Sequence, residues 1–149
     1  MKKIKPDYGN ENSINLKLVI AISRTQTAFT RRLQNYLNQF GLTIAQFGVL
    51  EALYHIGPMS IGALIEKNLS SSGNMTVVIR NLEKEGLIER CVHATDRRAF
   101  VIKLTKEGEC LIKTAFEGHL EILESYFGAL EGEEKNELQL LLKKLNGIQ

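Results

Sequence analysis

Apolar residues in this chain recur mainly three and four positions apart, which is the spacing of residues on one face of an α-helix. The first such run extends from Ile14 to about Asn38, and its first half, INLKLVIAI, is apolar on more than one face. A helix on the surface of one small domain needs a single apolar stripe, so we expect a second subunit to cover this segment. The positions near the helical period are Leu18, Ile22, Phe29, Leu33, Tyr36 and Phe40.

The middle of the chain predicts three shorter helices. The first is expected to begin at Thr43, because Thr43 and Gln46 have the spacing of a capping box, and to end at Gly57, which precedes a proline. A short helix from Ser60 to about Lys67 and a longer one from about Ser71 to Lys84 are expected to follow.

Two short runs after these helices, Leu87–Val92 and Phe100–Leu104, match antiparallel strands joined by a polar link. In the second run, Phe100, Ile102 and Leu104 are predicted to alternate inward. Two more helices are expected at 105–130 and 132–145. The central order of helix, short helix, helix and hairpin is that of a winged helix-turn-helix. The sequence therefore predicts a mainly α fold with a small β-hairpin wing, plus a helical dimerisation arm.

Length and charge narrow the class of protein. A chain of 149 residues suits one domain, or one domain with an oligomerisation arm. No apolar run is long enough to span a membrane, and the start, MKKIKPDYGNENS, lacks the apolar core of a signal peptide, so we expect a cytoplasmic protein. Before Gly41 there are seven basic and two acidic residues, whereas after Leu104 there are nine glutamates and five lysines. This uneven charge permits an anionic partner.

The helix predicted at 71–84 has two chemically different faces. Met75, Val78, Ile79 and Leu82 form an apolar stripe on one side. A helix in the major groove of DNA needs short polar and methyl-bearing groups for base edges and cations for phosphates. The opposite side, which lacks carboxylates, carries Gly73, Asn74, Thr76, Val77, Arg80, Asn81 and Lys84. Taken alone, this helix is explained equally well by an ordinary solvated face.

The polar link of the hairpin favours the DNA interpretation. It contains Asp96 followed by two adjacent arginines, Arg97 and Arg98, which repel each other and gain little from folding alone. On an extended arm, residues two apart share a face, so Asp96 reaches Arg98 more readily than Arg97. We therefore expect Asp96 to orient Arg98, while Arg97 contacts a phosphate or stays solvated. In the alternative, Asp96 only forms a turn and both arginines aid solubility.

Five stretches in order resemble the MarR family of bacterial transcription regulators over nearly the whole chain. They are LTIAQFGVLEAL, SIGALIEK, SSSGNMTVVIRNLEKEGLIER, TDRRAFVIKLTKEG and EEKNELQLLLKKL. The resemblance implies one domain over 1–149, with dimerisation helices at 14–40 and 106–147 and a winged helix-turn-helix at 43–104. It also implies a homodimer, most often a repressor, on palindromic double-stranded DNA. It places the recognition helices in successive major grooves and the wings in the flanking minor grooves, where we expect Arg98. The contacts it implies on the DNA are Ser71, Ser72, Asn74, Thr76, Val77, Arg80, Asp96 and Arg98.

The resemblance further implies release from DNA by a small aromatic ligand or by an oxidant. A ligand cleft could be lined by Tyr36, Phe47, Tyr54, His55 and Phe116, although aromatic residues at helical spacing are more often plain core. Peroxide-sensing members of the family keep a cysteine near the start of the first helix, and this chain has none before Cys91. We interpret Cys91 and Cys110 as small buried apolar side chains, while sensing through Cys110 stays open.

The sequence gives little support to catalysis or metal binding. His55, His93 and His119 are scattered, and no serine or cysteine lies in a recognised nucleophile motif, so we expect no enzyme and no cofactor. A zinc site built from Cys91, His93, Cys110 and His119 lacks a second closely spaced ligand pair beside Cys91 and His93, so we expect no metal. The alternative to a DNA-binding regulator is a winged-helix module that contacts another protein.

Overall fold

The computed structural model describes residues 6–68, 72–92, 95–96 and 100–147, with the backbone alone for Ser72. Its helices are α1 (Asn10–Leu37), α2 (Ile44–Ile56), α3 (Ile61–Lys67), α4 (Ser72–Lys84), α5 (Lys106–Phe127) and α6 (Gly132–Leu145), and its strands are β1 (Ile88–Val92) and β2 (Phe100–Leu104). A 3₁₀ turn, Asn38–Phe40, continues α1, which begins before the predicted Ile14. This order confirms a mainly α fold with a β-hairpin.

Short-range signals in the sequence fix the ends of α2 and α3. The backbone N–H of Gln46 donates to Thr43 Oγ1 at 3.2 Å, and the N–H of Thr43 donates to Gln46 Oε1 at 2.9 Å, which completes the predicted capping box. Gly57 ends α2 with a φ of 97°, a value that favours glycine. The Ser60 hydroxyl accepts from the N–H of Ala63 at 3.2 Å and starts α3.

The hairpin is attached at its base to the link between α2 and α3. Strands β1 and β2 are antiparallel, with Ile88 opposite Leu104 and Val92 opposite Phe100. Met59 adds a third short piece of strand: the N–H of Ile102 donates to its carbonyl at 2.8 Å, and its own N–H donates to the Ile102 carbonyl at 3.1 Å. This pairing, which was not predicted, fixes the base of the wing to the helix-turn-helix unit.

The prediction that Phe100, Ile102 and Leu104 all point inward is wrong for Phe100. Ile102 is fully buried and Leu104 is half-buried, whereas Phe100 is 52% exposed. Phe100 pairs with Val92, which is also more than half exposed, at the end of the ladder away from Met59. The hydrophobic core lies under the base of the hairpin only, because that is where Met59 and the helices pack.

One hydrophobic core joins α1 to α5 and the hairpin. Its fully buried side chains come from each of these elements and include Leu37, Leu50, Leu64, Ile79, Ile102 and Ile112. Gly108, in the first turn of α5, is buried directly against the Leu87 carbonyl, where an added Cβ would collide with backbone. The hydroxyl of Thr105 donates to the Gly86 carbonyl at 2.6 Å and accepts from the N–H of Gly108 at 3.1 Å. These contacts fix the start of α5 against the residues that precede β1.

Two helices leave long apolar surfaces outside this core. In α1 every described side chain from Ile14 to Ala28 is exposed, including Leu18, Val19 and Ile20. In α6 no residue is buried, and Leu140, Leu141 and Leu145 are exposed. We call these two surfaces together the apolar arm. Among the helices of the described ranges, none is long and apolar enough to cross a membrane.

Candidate nucleic-acid interface

Helix α4 has the two faces that its sequence predicts. Met75, Val78, Ile79 and Leu82 are all buried against the core. The exposed side has Arg80 and Lys84 as its cations, and the carboxylates of Glu83 and Glu85 lie at its flank and beyond its end. The same exposed side carries Gly73, Asn74, Thr76, Val77 and Asn81.

The structure brings some of the predicted DNA contacts together and does not describe others. Asn74, Thr76, Val77 and Arg80 lie exposed along one side of α4. Asp96 is exposed in the link of the hairpin. Ser71, Arg97 and Arg98 lie outside the described residues, as does the side chain of Ser72. The wing arginines therefore remain predictions from the sequence.

An ion pair that the sequence analysis missed joins α4 to the wing. Arg90 on β1 donates from Nε to Glu83 Oε1 at 2.7 Å and from Nη2 to Glu83 Oε2 at 3.2 Å. The hydrogen bond to Glu83 raises the pKa of Arg90, so the guanidinium stays charged. The pair neutralises a carboxylate at the edge of the cationic side of α4. Nothing in the spacing of these two residues indicates it, because they lie on different elements.

Four of the five predicted ligand residues belong to one group of rings between α2 and α5. His55 packs on Tyr54 and Phe116, with ring centroids 5.1 and 4.5 Å apart. Phe116 is 5.8 Å from His119, and His119 is 5.1 Å from Phe47, so His119 connects both ends of the group. The fifth residue, Tyr36, lies apart: it packs on Phe40 and donates from its hydroxyl to the Ala115 carbonyl at 3.0 Å.

His119 is the residue of this group that the sequence analysis passed over. It is 7% exposed, and within the described residues its Nδ1 has no hydrogen-bond partner. Burial lowers the pKa of His119 below its ordinary value of 6.5, and the nearby carboxylate of Glu51 opposes that shift only in part. His119 is therefore uncharged at neutral pH. Its helical spacing from Phe116 and Ala115 was the one signal in the sequence that could have indicated burial.

A cavity of about 530 Å³ lies where α1, α2, the end of α3 and the start of α4 meet. Phe47 is the one member of the predicted ligand set that lines it. Polar groups reach the cavity from each side, and its lining consists of Thr30, Leu33, Ile44, Ala45, Phe47, Gly48, Glu51, Asn68, Asn74 and Met75. Asn74 therefore belongs both to this cavity and to the exposed side of α4.

The cysteines differ from the expectation of two buried side chains. Cys91 is half-buried on β1, and Cys110 is exposed on α5, so the interpretation of Cys110 as a buried apolar side chain is wrong. Cys110 lies in the second turn of α5, on a face of the helix that the core does not cover. Within the described residues, no three His, Cys, Asp or Glu side chains are grouped as metal ligands.

Comparisons with known proteins agree on one family. The profile of the MarR family matches residues 42–100, which run from two residues before α2 to the first residue of β2. The HTH-type transcriptional regulator MhqR of Bacillus subtilis is 30% identical over 131 residues, 88% of this chain and 90% of that protein. This family is the one that the five sequence stretches resemble.

Solved structures give the same result. A mutant of MarR from E. coli complexed with operator DNA has a TM-score of 0.81 at 25% identity, covering 94% of this chain and 99% of that one. BpsR of Bordetella bronchiseptica, in a structure described as showing regulation of DNA binding by 6-hydroxynicotinic acid, has a TM-score of 0.77 at 25% identity, over 87% and 98% of the two chains. The chain therefore belongs to the MarR family of winged-helix transcription regulators.

Proposed function

We propose that this regulator is a homodimer that binds palindromic double-stranded DNA, represses transcription and is released by a small aromatic ligand or an oxidant. The observation that carries the DNA-binding part is the exposed side of α4. Its cations and short polar side chains stand opposite a fully buried stripe, so the core fixes the direction in which they point. Direct contacts to bases and phosphates need that combination.

The apolar arm supports the dimer. Val19 is 60% exposed on α1, and Leu140 and Leu145 are 65% and 69% exposed on α6, which is a larger apolar surface than a small monomer ordinarily leaves in water. A second copy covers it with identical surface around a two-fold axis. In this arrangement 14–40 and 106–147 form the dimerisation part, and 43–104 forms the winged helix-turn-helix within the one domain 1–149.

The two-fold symmetry of the proposed dimer accounts for a palindromic DNA site and for release of the protein from that site. Each copy of α4 inserts into a major groove, and the two grooves that they occupy lie one helical turn of DNA apart. Asn74, Thr76, Val77 and Arg80 face bases or phosphates, with Ser71 and Ser72 at the start of the helix. A ligand or an oxidation that changes the spacing of the two α4 helices mismatches them to the half-sites, and affinity falls.

The test begins with DNA that the protein retains from its own genome, sequenced and rebuilt as labelled duplexes. Fluorescence anisotropy over a range of salt concentrations should give an affinity that falls steeply with salt, because phosphate contacts release counterions. Arg80→Ala should weaken binding by about tenfold or more. Lys113→Ala, which removes an exposed cation of α5, should leave the affinity near that of the wild type.

Light scattering on the same samples should give twice the mass of the chain. A soluble folded monomer at micromolar concentration would contradict the dimer. Binding without salt dependence, or equal affinity for any duplex, would favour the alternative of a winged-helix module that contacts protein.

A further inference from the structure

We propose that the cavity between α1, α2 and α4 selects a small aromatic cation, such as an amidine or amine, over an aromatic carboxylate, and that Glu51 makes the selection. The inference rests on the proposed function, because it names the class of ligand that acts on the DNA-binding unit. The volume of this cavity, about 530 Å³, lies within the range of small-molecule sites, which is roughly 300–1,000 Å³.

The walls of the cavity suit a flat apolar ring. Leu33 comes from α1, Ile44 and Phe47 from α2, and Met75 from α4. Phe47 is only 2% exposed, and its ring packs against the ring of His119. This packing limits the movement of the Phe47 ring, so it presents a fixed face to the cavity. Aromatic ligands gain most from such rigid apolar walls.

The charge of the cavity decides between ligands of the same shape. Of the side chains in its described lining, Glu51 is the one that carries a charge. Within the described residues no ion pair engages the Glu51 carboxylate, and the backbone carbonyl of Glu51, not its side chain, is what His55 contacts at 2.9 Å. His119, whose charged form the Glu51 carboxylate would favour, is uncharged at neutral pH because burial lowers its pKa. The cavity is therefore negative.

The start of α4 opposes this charge without cancelling it. Asn74 and Met75 lie in the first turn of α4, where the aligned peptide dipoles act as roughly half a positive charge. Glu51 carries a full negative charge in a partly buried position, so its effect exceeds that of the helix end. Thr30, Asn68 and Asn74 add neutral hydrogen-bonding groups that accept from an amidine or amine as readily as they donate.

A ligand in this cavity touches the DNA-binding helix directly. Asn74 lies exposed on α4 and lines the cavity, and Met75 follows it at the buried edge of the same helix. Filling the cavity changes the position or the hydrogen bonding of this first turn. We therefore expect occupancy to lower the affinity for operator DNA.

The test uses three compounds that share a ring and differ in charge: benzamidine, benzamide and benzoate. Isothermal titration calorimetry on the full chain should give the order benzamidine, benzamide, benzoate from tightest to weakest. One partly screened charge contact corresponds to about a tenfold change in affinity. Glu51→Gln should reduce benzamidine binding by about that factor and remove the difference between benzamidine and benzamide. Glu51→Asp should retain the preference, which guards against a loss caused by misfolding.

Glu109→Gln is the matched control, because Glu109 is an exposed glutamate of α5 outside the cavity lining. It should behave like the wild type. The inference is overturned if benzoate binds as tightly as benzamidine, if the preference survives in Glu51→Gln, or if no compound binds. Operator affinity measured on the same samples separates the two proposals. Intact DNA binding with no preference for the cation rejects the ligand class alone, whereas loss of sequence-specific DNA binding in the wild type rejects the proposed function.

Discussion

Glu83 on α4 holds Arg90 on β1 through two parallel hydrogen bonds, of 2.7 and 3.2 Å. The pair connects the helix proposed to enter the major groove with the strand that leads to the wing. Both side chains are partly exposed, at 27% and 42%, so the contribution of the pair to the free energy of unfolding is about 1 kcal/mol or less. We expect the pair to matter more for the direction of the wing than for stability.

We expect Glu83→Gln and Arg90→Gln each to lower operator affinity more than they lower stability. A double-mutant cycle, measured by anisotropy and by urea unfolding, should give a larger coupling energy for DNA binding than for folding. The matched control is the more exposed pair of Lys103 and Glu89, which face each other on the hairpin at 3.0 Å. Equal coupling in the two measurements would show that the Glu83–Arg90 pair is only a surface contact.

Two glycines should separate folding from DNA binding. Gly108→Ala places a methyl group against the Leu87 carbonyl and should lower the free energy of unfolding by about 1–3 kcal/mol. The added methyl of Gly73→Ala meets none of the described atoms outside its own helix within 4 Å, and it should raise that free energy by about 0.5–1 kcal/mol, because alanine favours a helix. The same Gly73→Ala change should weaken operator binding by keeping the DNA backbone away from α4. Urea unfolding measures the change in stability of each variant, and anisotropy measures its operator affinity. Tighter DNA binding by the Gly73→Ala variant would contradict the proposed DNA interface on α4.

Acid should destabilise the protein through His119. Burial lowers the pKa of His119 below 6.5, so the unfolded chain takes up the proton first as the pH falls. The free energy of unfolding should therefore be insensitive to this group above 6.5, fall as the pH drops below 6.5, and level off below the pKa in the folded state. His119→Phe should reduce that fall in the free energy of unfolding, whereas His55→Gln, at an exposed histidine, should leave the fall unchanged. Urea unfolding on both sides of 6.5 measures the difference, and an unchanged slope in His119→Phe would contradict the assignment.

The wing arginines should differ from each other. Arg98→Ala should cost about 1–3 kcal/mol of operator affinity and reduce the preference for A·T-rich flanks, because a narrow minor groove favours an inserted arginine. Arg97→Ala should cost less and act equally on all flanks. Asp96→Asn should weaken binding although it removes a negative charge, because Asp96 is expected to orient Arg98. These affinities are measured by fluorescence anisotropy on duplexes that differ only in their flanking sequences. Tighter binding by Asp96→Asn, together with equal losses of affinity in the two arginine variants, would show that the wing tip is a nonspecific basic surface.

DNA release should not depend on cysteine. Cys91→Ser combined with Cys110→Ser should bind the operator like the wild type in reducing buffer. Cys110 is exposed and therefore accessible to oxidants, so the comparison is repeated with an oxidant present. If an oxidant releases the wild type from DNA and leaves the double variant bound, a cysteine is the sensor.

Local signals made most of the fold predictable. Thr43 with Gln46, and Ser60 with Ala63, identify helix starts because each cap involves residues three apart. The buried side of α4 followed from helical spacing alone. Pairings across the chain left no such signal: Met59 meets Ile102, and Arg90 meets Glu83, through the packing of separate elements. Phe100 shows the same limit, since strand alternation says which residues share a face and not where the core beneath that face ends.

The candidate sites were predictable to different degrees. The exposed side of α4 can be derived from one helical wheel, so the exposure of Asn74, Thr76, Val77 and Arg80 was predictable without the fold. The cavity could not be predicted in this way, because its walls come from α1, α2, α4 and Asn68 just after α3, and only Phe47 among the predicted ligand residues reaches it. His119 was missed for a related reason: a histidine on α5 is buried only once α2 packs against it.

Asn74 belongs to two surfaces at once, the wall of the cavity and the outer side of α4. No substitution at this position can alter one surface and spare the other. If the two proposals hold, a change of effector through position 74 should also change the preferred operator, and a change of operator through position 74 should alter which molecules the cavity accepts. Gene duplicates of this chain that diverge through position 74 would therefore be expected to acquire new signals and new target sites together, whereas changes at Glu51 or Arg80 would alter one of the two.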